Sequence, residues 1–427
     1  MMNWRRCLPA LKRWMQHLDP LNCKQISKFF SPYLTAAEEG VAATRTILNH
    51  LLMVEADGTV ASYIGDWQFP YRSANKLTAG AWHHVALTKQ GNDVTVYIDG
   101  ESGGTQTRKE QETSAPVIIG SGTSINGIYV KDGQTLYFSP GAVFHGTVLF
   151  YGVRDAKLAG SGIIDITPTS GQVCYNGIIT QYSENVTVEG VIVNNPAAFT
   201  VTTGQSKNVT YRNVKTFSSY GPSDGINTKA SEDVTIDGCF IRSNDDGVSI
   251  SASSVNLTGS TRRITVKNTV IINDVAHSFL IGGSGRADRE DVVETIRVDN
   301  VDVIDSKQPN GGYQGVFGIG ANGNGTVRDV VFNNVRVQDI FNNMLFNVYV
   351  GHDPAYSTKP GKLVEDITFS NITYTGKAPQ TSAVRGYNPL CMVRNVRFDN
   401  VIINGKKLEA DDGTVIVYGH TDNVTFS

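Results

Sequence analysis

The stretch Glu184–Val193, ENVTVEGVIV, recurs down the chain with its pattern intact. KNVTYRNVKT, EDVTIDGCFI, RRITVKNTVI, ETIRVDNVDV, RDVVFNNVRV, EDITFSNITY and RNVRFDNVII align with it without gaps, and DNVTFS closes the chain. Their third residues are Val186, Val209, Val234, Ile264, Ile296, Val330, Ile367 and Val396. The spacing between these anchors runs from 23 residues (186 to 209) to 37 (330 to 367), the range of stacked solenoid units. Each segment alternates apolar and polar residues, as a half-buried strand does. Four residues after the anchor stand Gly190, Asn213, Gly238, Asn268, Asn300, Asn334, Asn371 and Asn400. Glycine and asparagine both tolerate the left-handed backbone of a sharp bend. Asparagine can also hydrogen-bond to its copies in neighbouring units. The pattern predicts an all-β chain built on a right-handed parallel β-helix. Its rungs stack about 4.8 Å apart around an aliphatic column.

Composition bounds the rest. The chain has 427 residues, a formal net charge of −3 and 18% charged residues. That length allows more than one domain. That charge lacks the basic footprint of a nucleic-acid-binding protein. No apolar run is long enough to span a membrane, so no membrane partner is expected. The five cysteines, Cys7, Cys23, Cys174, Cys239 and Cys391, are odd in number and far apart, which argues against a disulfide framework or a zinc site. The basic start, MMNWRRCLPALKRWMQHLDP, has neither a clean apolar stretch nor a small-residue cleavage site, and does not read as a signal peptide. Six Asn-x-Thr triplets, at Asn185, Asn208, Asn256, Asn324, Asn371 and Asn423, fall on or between repeats and read as by-products of them.

Three regions follow. Residues 1–52 are unassigned, although TAAEEGVAATRTILNHLL fits an amphipathic helix. In residues 53–120, DGTVASYIGDW and DVTVYIDG read as short strands closed by Asp-Gly turns. LTAGAWHHVALTKQGNDVTVYIDG resembles the second half of a laminin-G-type, concanavalin-A-like lectin domain, which implies a partial jelly-roll sandwich here. Residues 121–427 form the β-helix.

A β-helix makes columns of residues. Aligned on their apolar positions, AFTVTTG, DGINTKA, DGVSISA, SFLIGG, GVFGIGA and MLFNVYV bring Asp224 and Asp246 into one column. His277 follows, and Gln314 and Asn343 continue the line, with Asp245 beside Asp246. An isolated Asp-Asp-Gly is ordinarily a turn. Stacked carboxylates raise one another's pKa, and a glycosidase needs that: one carboxyl stays protonated to donate while another activates water. Tyr220, Tyr313, Tyr349 and Tyr387, at or near loops of successive rungs, could serve as sugar platforms.

PSDGINTKASEDVTIDGCFIRSNDDGVSIS followed by AHSFLIGGSG resembles the polygalacturonase-type glycoside hydrolases, single-domain pectin-lyase-like solenoids that cleave glycosidic bonds with inversion. The family's Asn-Thr-Asp motif matches Ser223-Asp224 at the Asp, its Asp-Asp motif matches Asp245-Asp246, and its Gly-His-Gly motif matches Ala276-His277-Ser278 at the His. The resemblance implies Asp245 as general acid, Asp224 and Asp246 as the pair holding the water, and His277 as their support. It implies a pectin-type polysaccharide substrate, no cofactor or metal, a monomer and an extracellular location. The pectin enzymes carry an Arg-x-Lys motif on the rung after the histidine; here GGYQGVFGIGAN has no basic residue. Arg286 could substitute from a loop, with Tyr220, Tyr313, Gln314 and Asn343 completing a sugar-binding surface. Otherwise a neutral α-glucan is the expected substrate, because the dextranase and isopullulanase β-helices also use three aspartates at similar places. A polysaccharide lyase and a non-catalytic glycan-binding β-helix are the readings from other classes. The lyase needs a strong base, and none is evident close to the aspartates in sequence.

Overall fold

The computed structural model describes residues 50–54, 59–64, 71–78, 85–90, 93–107, 127–167, 176–254, 256–309, 315–354 and 357–427. It contains strands and no helix among these residues, hence no helix long and apolar enough to cross a membrane. The chain divides into two units, Met1–Ile118 and Ile119–Ser427.

The first unit shows two antiparallel three-stranded sheets. One joins His50–Val54, Thr59–Ile64 and Tyr71–Lys76; the other joins Val85–Gln90, Asp93–Ile98 and Glu101–Thr107. Asp99 and Gly100, both at positive φ, make the tight turn of the second hairpin, as Asp-Gly predicts. Val60, Val96 and Ile98 share a small core with Leu77. The last residues of the expected helix, His50–Leu52, are strand instead, paired with Ser62–Ile64. Cross-strand pairing overrides a helical pattern here. The rest of that helix, with Trp82, His83 and His84, lies outside the described residues.

The second unit is the right-handed parallel β-helix. One face is an eleven-stranded parallel sheet, and the remaining strands wrap the other sides as a sheet of seventeen. The repeat anchors stack without slippage: Val186, Val209, Val234, Ile264, Ile296, Val330, Ile367, Val396 and Val424 pair in order. All but the terminal Val424 are buried. The eight Gly and Asn residues four positions on have positive φ throughout, from +52° to +85°. Among them, Asn300 donates to Asn268 at 2.8 Å and Asn400 to Asn371 at 2.7 Å.

A second bend column stands just before the anchors. Asn185, Asn208, Asp233, Arg263, Thr295, Asp329, Asp366, Asn395 and Asn423 all have φ between +52° and +59°. Side chains tie it together as well: Asn208 to Asn185 at 2.8 Å, Asn395 to Asp366 at 2.8 Å, Asn423 to Asn395 at 2.9 Å. These bonds occupy several of the Asn-x-Thr amides.

The interior departs from the expected aliphatic column in its C-terminal half. Phe279, Phe317 and Phe346 form one stack, with centroids 6.0 and 5.4 Å apart. Phe332, Phe369, Phe398 and Phe426 form another, at 5.5, 5.2 and 5.0 Å. The column of Ile236, Val266 and Val298 continues in register into Phe332 and Phe369. Phe369 touches both stacks. Phe369→Ala should therefore cost about 3–5 kcal/mol. Guanidinium unfolding followed by circular dichroism checks this; a loss near that of an exposed site would mean the stacks do not hold the lower coil together.

Candidate active site

Four strands of the eleven-stranded sheet, Ile226–Lys229, Val248–Ser251, Phe279–Gly282 and Phe317–Ala321, stack in register. Asp224, Asp246 and His277 each stand two residues before the first residue of their strand, so register alone puts them in one line. Gly225 and Gly247 follow the two aspartates. Gly225 N donates to Asp246 O at 2.9 Å, and Gly247 N to His277 O at 2.8 Å. A Cβ at Gly225 would lie 2.4 Å from both Gly247 O and Ile241 Cγ2. Glycine is therefore required for the chain to turn tightly inward, and the turn presents the preceding aspartate on the outer face.

The line does not continue as the sequence suggested. Phe279, Phe317 and Phe346 are mutual partners, which puts Gly315 and Met344 in register with His277. Asn343 is one residue out of the column. A slip of one residue exchanges the faces of a strand. Asn343 is buried, and its amide is engaged by neighbours. It accepts from Gly315 N at 2.7 Å and Met344 N at 2.9 Å, and donates to Ala276 O at 3.3 Å and Ser306 Oγ at 3.2 Å. It braces the segment carrying His277. Gln314 and Tyr313 lie outside the described residues.

Oxygens of Asp224, Asp245 and Asp246 all come within 4.8 Å of one another. Asp246 is buried and its Oδ1 lies 2.8 Å from His277 Nδ1 and 3.2 Å from His277 N. Against an ionised Asp246, which only accepts, Nδ1 would be the donor of that bond. Asp224 Oδ2 accepts from Asn227 Nδ2 at 2.7 Å. Asp245 Oδ1 accepts from Asp246 N at 2.9 Å, and Asn273 Nδ2 holds the Asp245 carbonyl at 2.6 Å.

The electrostatics separate the carboxyls. Burial, then the charge of Asp246, pushes Asp245 up to about 7; the Asp246 N–H and His277 oppose this in part. Asp224 is raised well above the ordinary carboxylate range by burial and by its two neighbours, against Asn227 and Lys229. The three oxygens could also be spanned by a cation, but positive charge already faces the cluster from the chain itself. Lys229, five residues after Asp224, is held below its usual range by burial and lifted in part by Asp224 and Asp246. Its Nζ sits 4.3 Å over the Phe199 ring. The sequence shows no evident strong base close to the aspartates. Lys229 is one nonetheless; it stands in DGINTKA at the next outward position after Asn227, and strand alternation could have revealed it.

The rung after His277 carries two glycines on its outward positions, Gly318 and Gly320. A Cβ on Gly318 would lie 2.4 Å from His277 Cδ2, and one on Gly320 would lie 2.4 Å from Tyr349 Cζ. The rings of His277 and Tyr349 fill the space where side chains from this rung would stand. Arg286, on the loop after Phe279–Gly282, is half-buried, and Asp288 holds its guanidinium at 3.0 and 2.9 Å. Tyr220 is 42% exposed, close in sequence to Asp224, and its carbonyl accepts from Ser223 Oγ.

The model of the "Glycosyl hydrolases family 28" matches residues 157–415. That of the "Concanavalin A-like lectin/glucanases superfamily" matches residues 36–134. A curated relative, "Probable endo-xylogalacturonan hydrolase A" of Aspergillus fumigatus, is 26% identical over 237 residues, 50% of this chain and 54% of that relative. The chain spans about half the length of the curated relatives it matches. Among solved structures, the polygalacturonase of Erwinia carotovora ssp. carotovora superposes with a TM-score of 0.50 at 17% identity, covering 73% of this chain and 88% of that one. The endo-xylogalacturonan hydrolase of Aspergillus tubingensis gives 0.45 at 17% identity, over 74% of this chain and 92% of that one. The polygalacturonase superposition matches the parallel β-helix, and the family model covers all three aspartates and His277. The chain belongs to glycosyl hydrolases family 28.

Proposed function

We propose that the protein hydrolyses glycosidic bonds of a pectin-type galacturonan outside the cell, with Asp245 as general acid. The observation that carries this reading is the split among three adjacent carboxyls. Asp245, titrating at about 7, keeps its proton at mildly acidic pH, while Asp246 is tied to His277. A proton donor beside a carboxylate that accepts a proton from water is what hydrolysis of an acetal requires. In this reading Asp245 protonates the leaving oxygen. Asp224 and Asp246 hold the attacking water, and Asp246 takes its proton. His277 positions Asp246, and Lys229 balances the charge of the pair.

Inversion comes from the family resemblance. The spacing alone is short for it: general inverting pairs stand roughly 6.5–9.5 Å apart and retaining pairs about 5 Å. The first anomer released from an α-linked galacturonan therefore tests the mechanism. Proton NMR should show the β-anomer first; the α-anomer would mean that one aspartate attacks the sugar.

Gly318 and Gly320, in place of a basic pair, favour a second reading, a neutral α-glucan. Incubation with polygalacturonate, dextran and pullulan, read by reducing ends, decides between them. Lys229 supplies the base that a lyase needs. Product absorbance in the ultraviolet, lost in a chelator, would identify that chemistry instead.

Asp245→Asn should lower kcat by about 10²–10⁴-fold. Wild-type kcat should fall as pH rises through about 7, where Asp245 gives up the proton it must donate. Stability has the same sign. The folded carboxyl titrates above its unfolded value, so its stabilising proton is present below pH about 4 and is lost as pH rises through about 7. Asp245→Asn should therefore melt higher than wild type at pH 8, with the gap closing towards pH 4. A variant that retains its rate, or that melts lower at pH 8, removes Asp245 from the role.

A further inference from the structure

The outward row of the eleven-stranded sheet runs past the carboxyl cluster and ends on a charged residue. Gly282, Gly320, Tyr349 and Arg385 follow one another in register on successive rungs. Tyr349 leans back over Gly320: its Cζ and Oη lie 2.4 and 2.7 Å from where a Gly320 Cβ would be. The ring therefore tilts towards the carboxyl cluster. Behind it, the Arg385 guanidinium stands 5.4 Å from the Tyr349 ring centroid. Arg385 is exposed and has no carboxylate partner among the described residues. By contrast Arg297, Arg336 and Arg397, on the other faces of the coil, are paired with Asp329, Asp302 and Asp399. Tyr387, two residues on, is 46% exposed and meets the His352 ring edge-on at 6.3 Å.

We propose that Tyr349, Arg385 and Tyr387 form a distal subsite that reads a carboxylate of the bound chain, so that the groove takes a uronic-acid polymer. The proposal rests on reading the carboxyl cluster as a polysaccharide hydrolase site. A guanidinium standing over an aromatic ring can still offer an N–H fork to a carboxylate, which suits arginine rather than lysine. Aromatic faces beside it suit the C–H faces of a pyranose. Arg385 lies four rungs past Asp246, at about 4.8 Å a rung roughly 19 Å along the coil axis, and in a column five residues further along the strands. A sugar unit advances by a similar step, so the carboxylate it meets belongs to a residue well away from the cleaved bond. The cation missing from the rung of Gly318 and Gly320 is thus supplied two rungs further on. Galacturonan can be recognised there although the glycines leave nothing to grip it next to the histidine.

The test uses the full-length chain carrying Asp245→Asn, so that binding is measured without cleavage. Isothermal titration calorimetry compares an eight-residue galacturonide as the free acid with its fully methyl-esterified form, which has the same length and no charge. Adding Arg385→Ala should weaken binding of the free acid about tenfold and leave the ester within twofold. Arg385→Lys should recover part of the loss, since it keeps the charge but not the planar fork. Equal weakening of acid and ester overturns the proposal, because Arg385 would then only support Tyr349. No weakening of either overturns it too, and leaves the hydrolase reading intact. If the Asp245→Asn chain binds neither oligomer and wild type releases no reducing ends from polygalacturonate, the substrate reading falls together with the subsite.

Discussion

Everything in the second unit depends on in-register parallel pairing. Each anchor lies over the anchor before it, and each bend over a bend at positive φ. Backbone hydrogen bonds between rungs then carry side chains into columns regardless of their chemistry. In the interior this yields stacked valine, isoleucine and phenylalanine. On the outer face of the eleven-stranded sheet it yields aspartate over aspartate. Such a column is unfavourable by itself, since two like charges a few ångströms apart in a buried setting repel. The fold tolerates it because the energy of pairing and of the apolar stacks is spread over the whole coil, while the repulsion is confined to two rungs.

Much of this was legible in the sequence, for a physical reason. Only Gly and Asn occupy the bend column because few residues accept the left-handed region, so a backbone constraint is written directly into residue identity. The second bend column was legible in principle, yet it is spread over Asn, Asp, Arg and Thr. Stacking and ion pairs, as between Arg263 and Asp233, hold residues there that rarely adopt such a backbone. The one-residue slip at Asn343 has a different origin. Apolar alternation places strands to within a residue, but the turn before each strand decides which residue opens the column. The phenylalanine stacks depend on register between distant rungs, which local pattern does not express. Lys229 was missed because the aspartates were sought in columns and the lysine lies along the same strand.

The site itself is a division of labour among groups that are chemically identical when free. Asp224, Asp245 and Asp246 differ only in burial and partners: an amide for the first, a backbone N–H for the second, an imidazole for the third. Burial supplies most of the upward pressure on Asp245, and its neighbour the rest. Three amides stand around these carboxyls, Asn227, Asn273 and Asn343. They fix the side chain or the backbone that presents the carboxyls.

The tight fit at Gly318 limits what that position can accept. The ring of His277 occupies the volume that any Cβ there would need, and the same ring holds Asp246. A side chain cannot be introduced at 318 without displacing the histidine and, through it, the carboxylate. The two positions can therefore change only together, whereas a residue altered at Arg385 meets solvent instead of that ring.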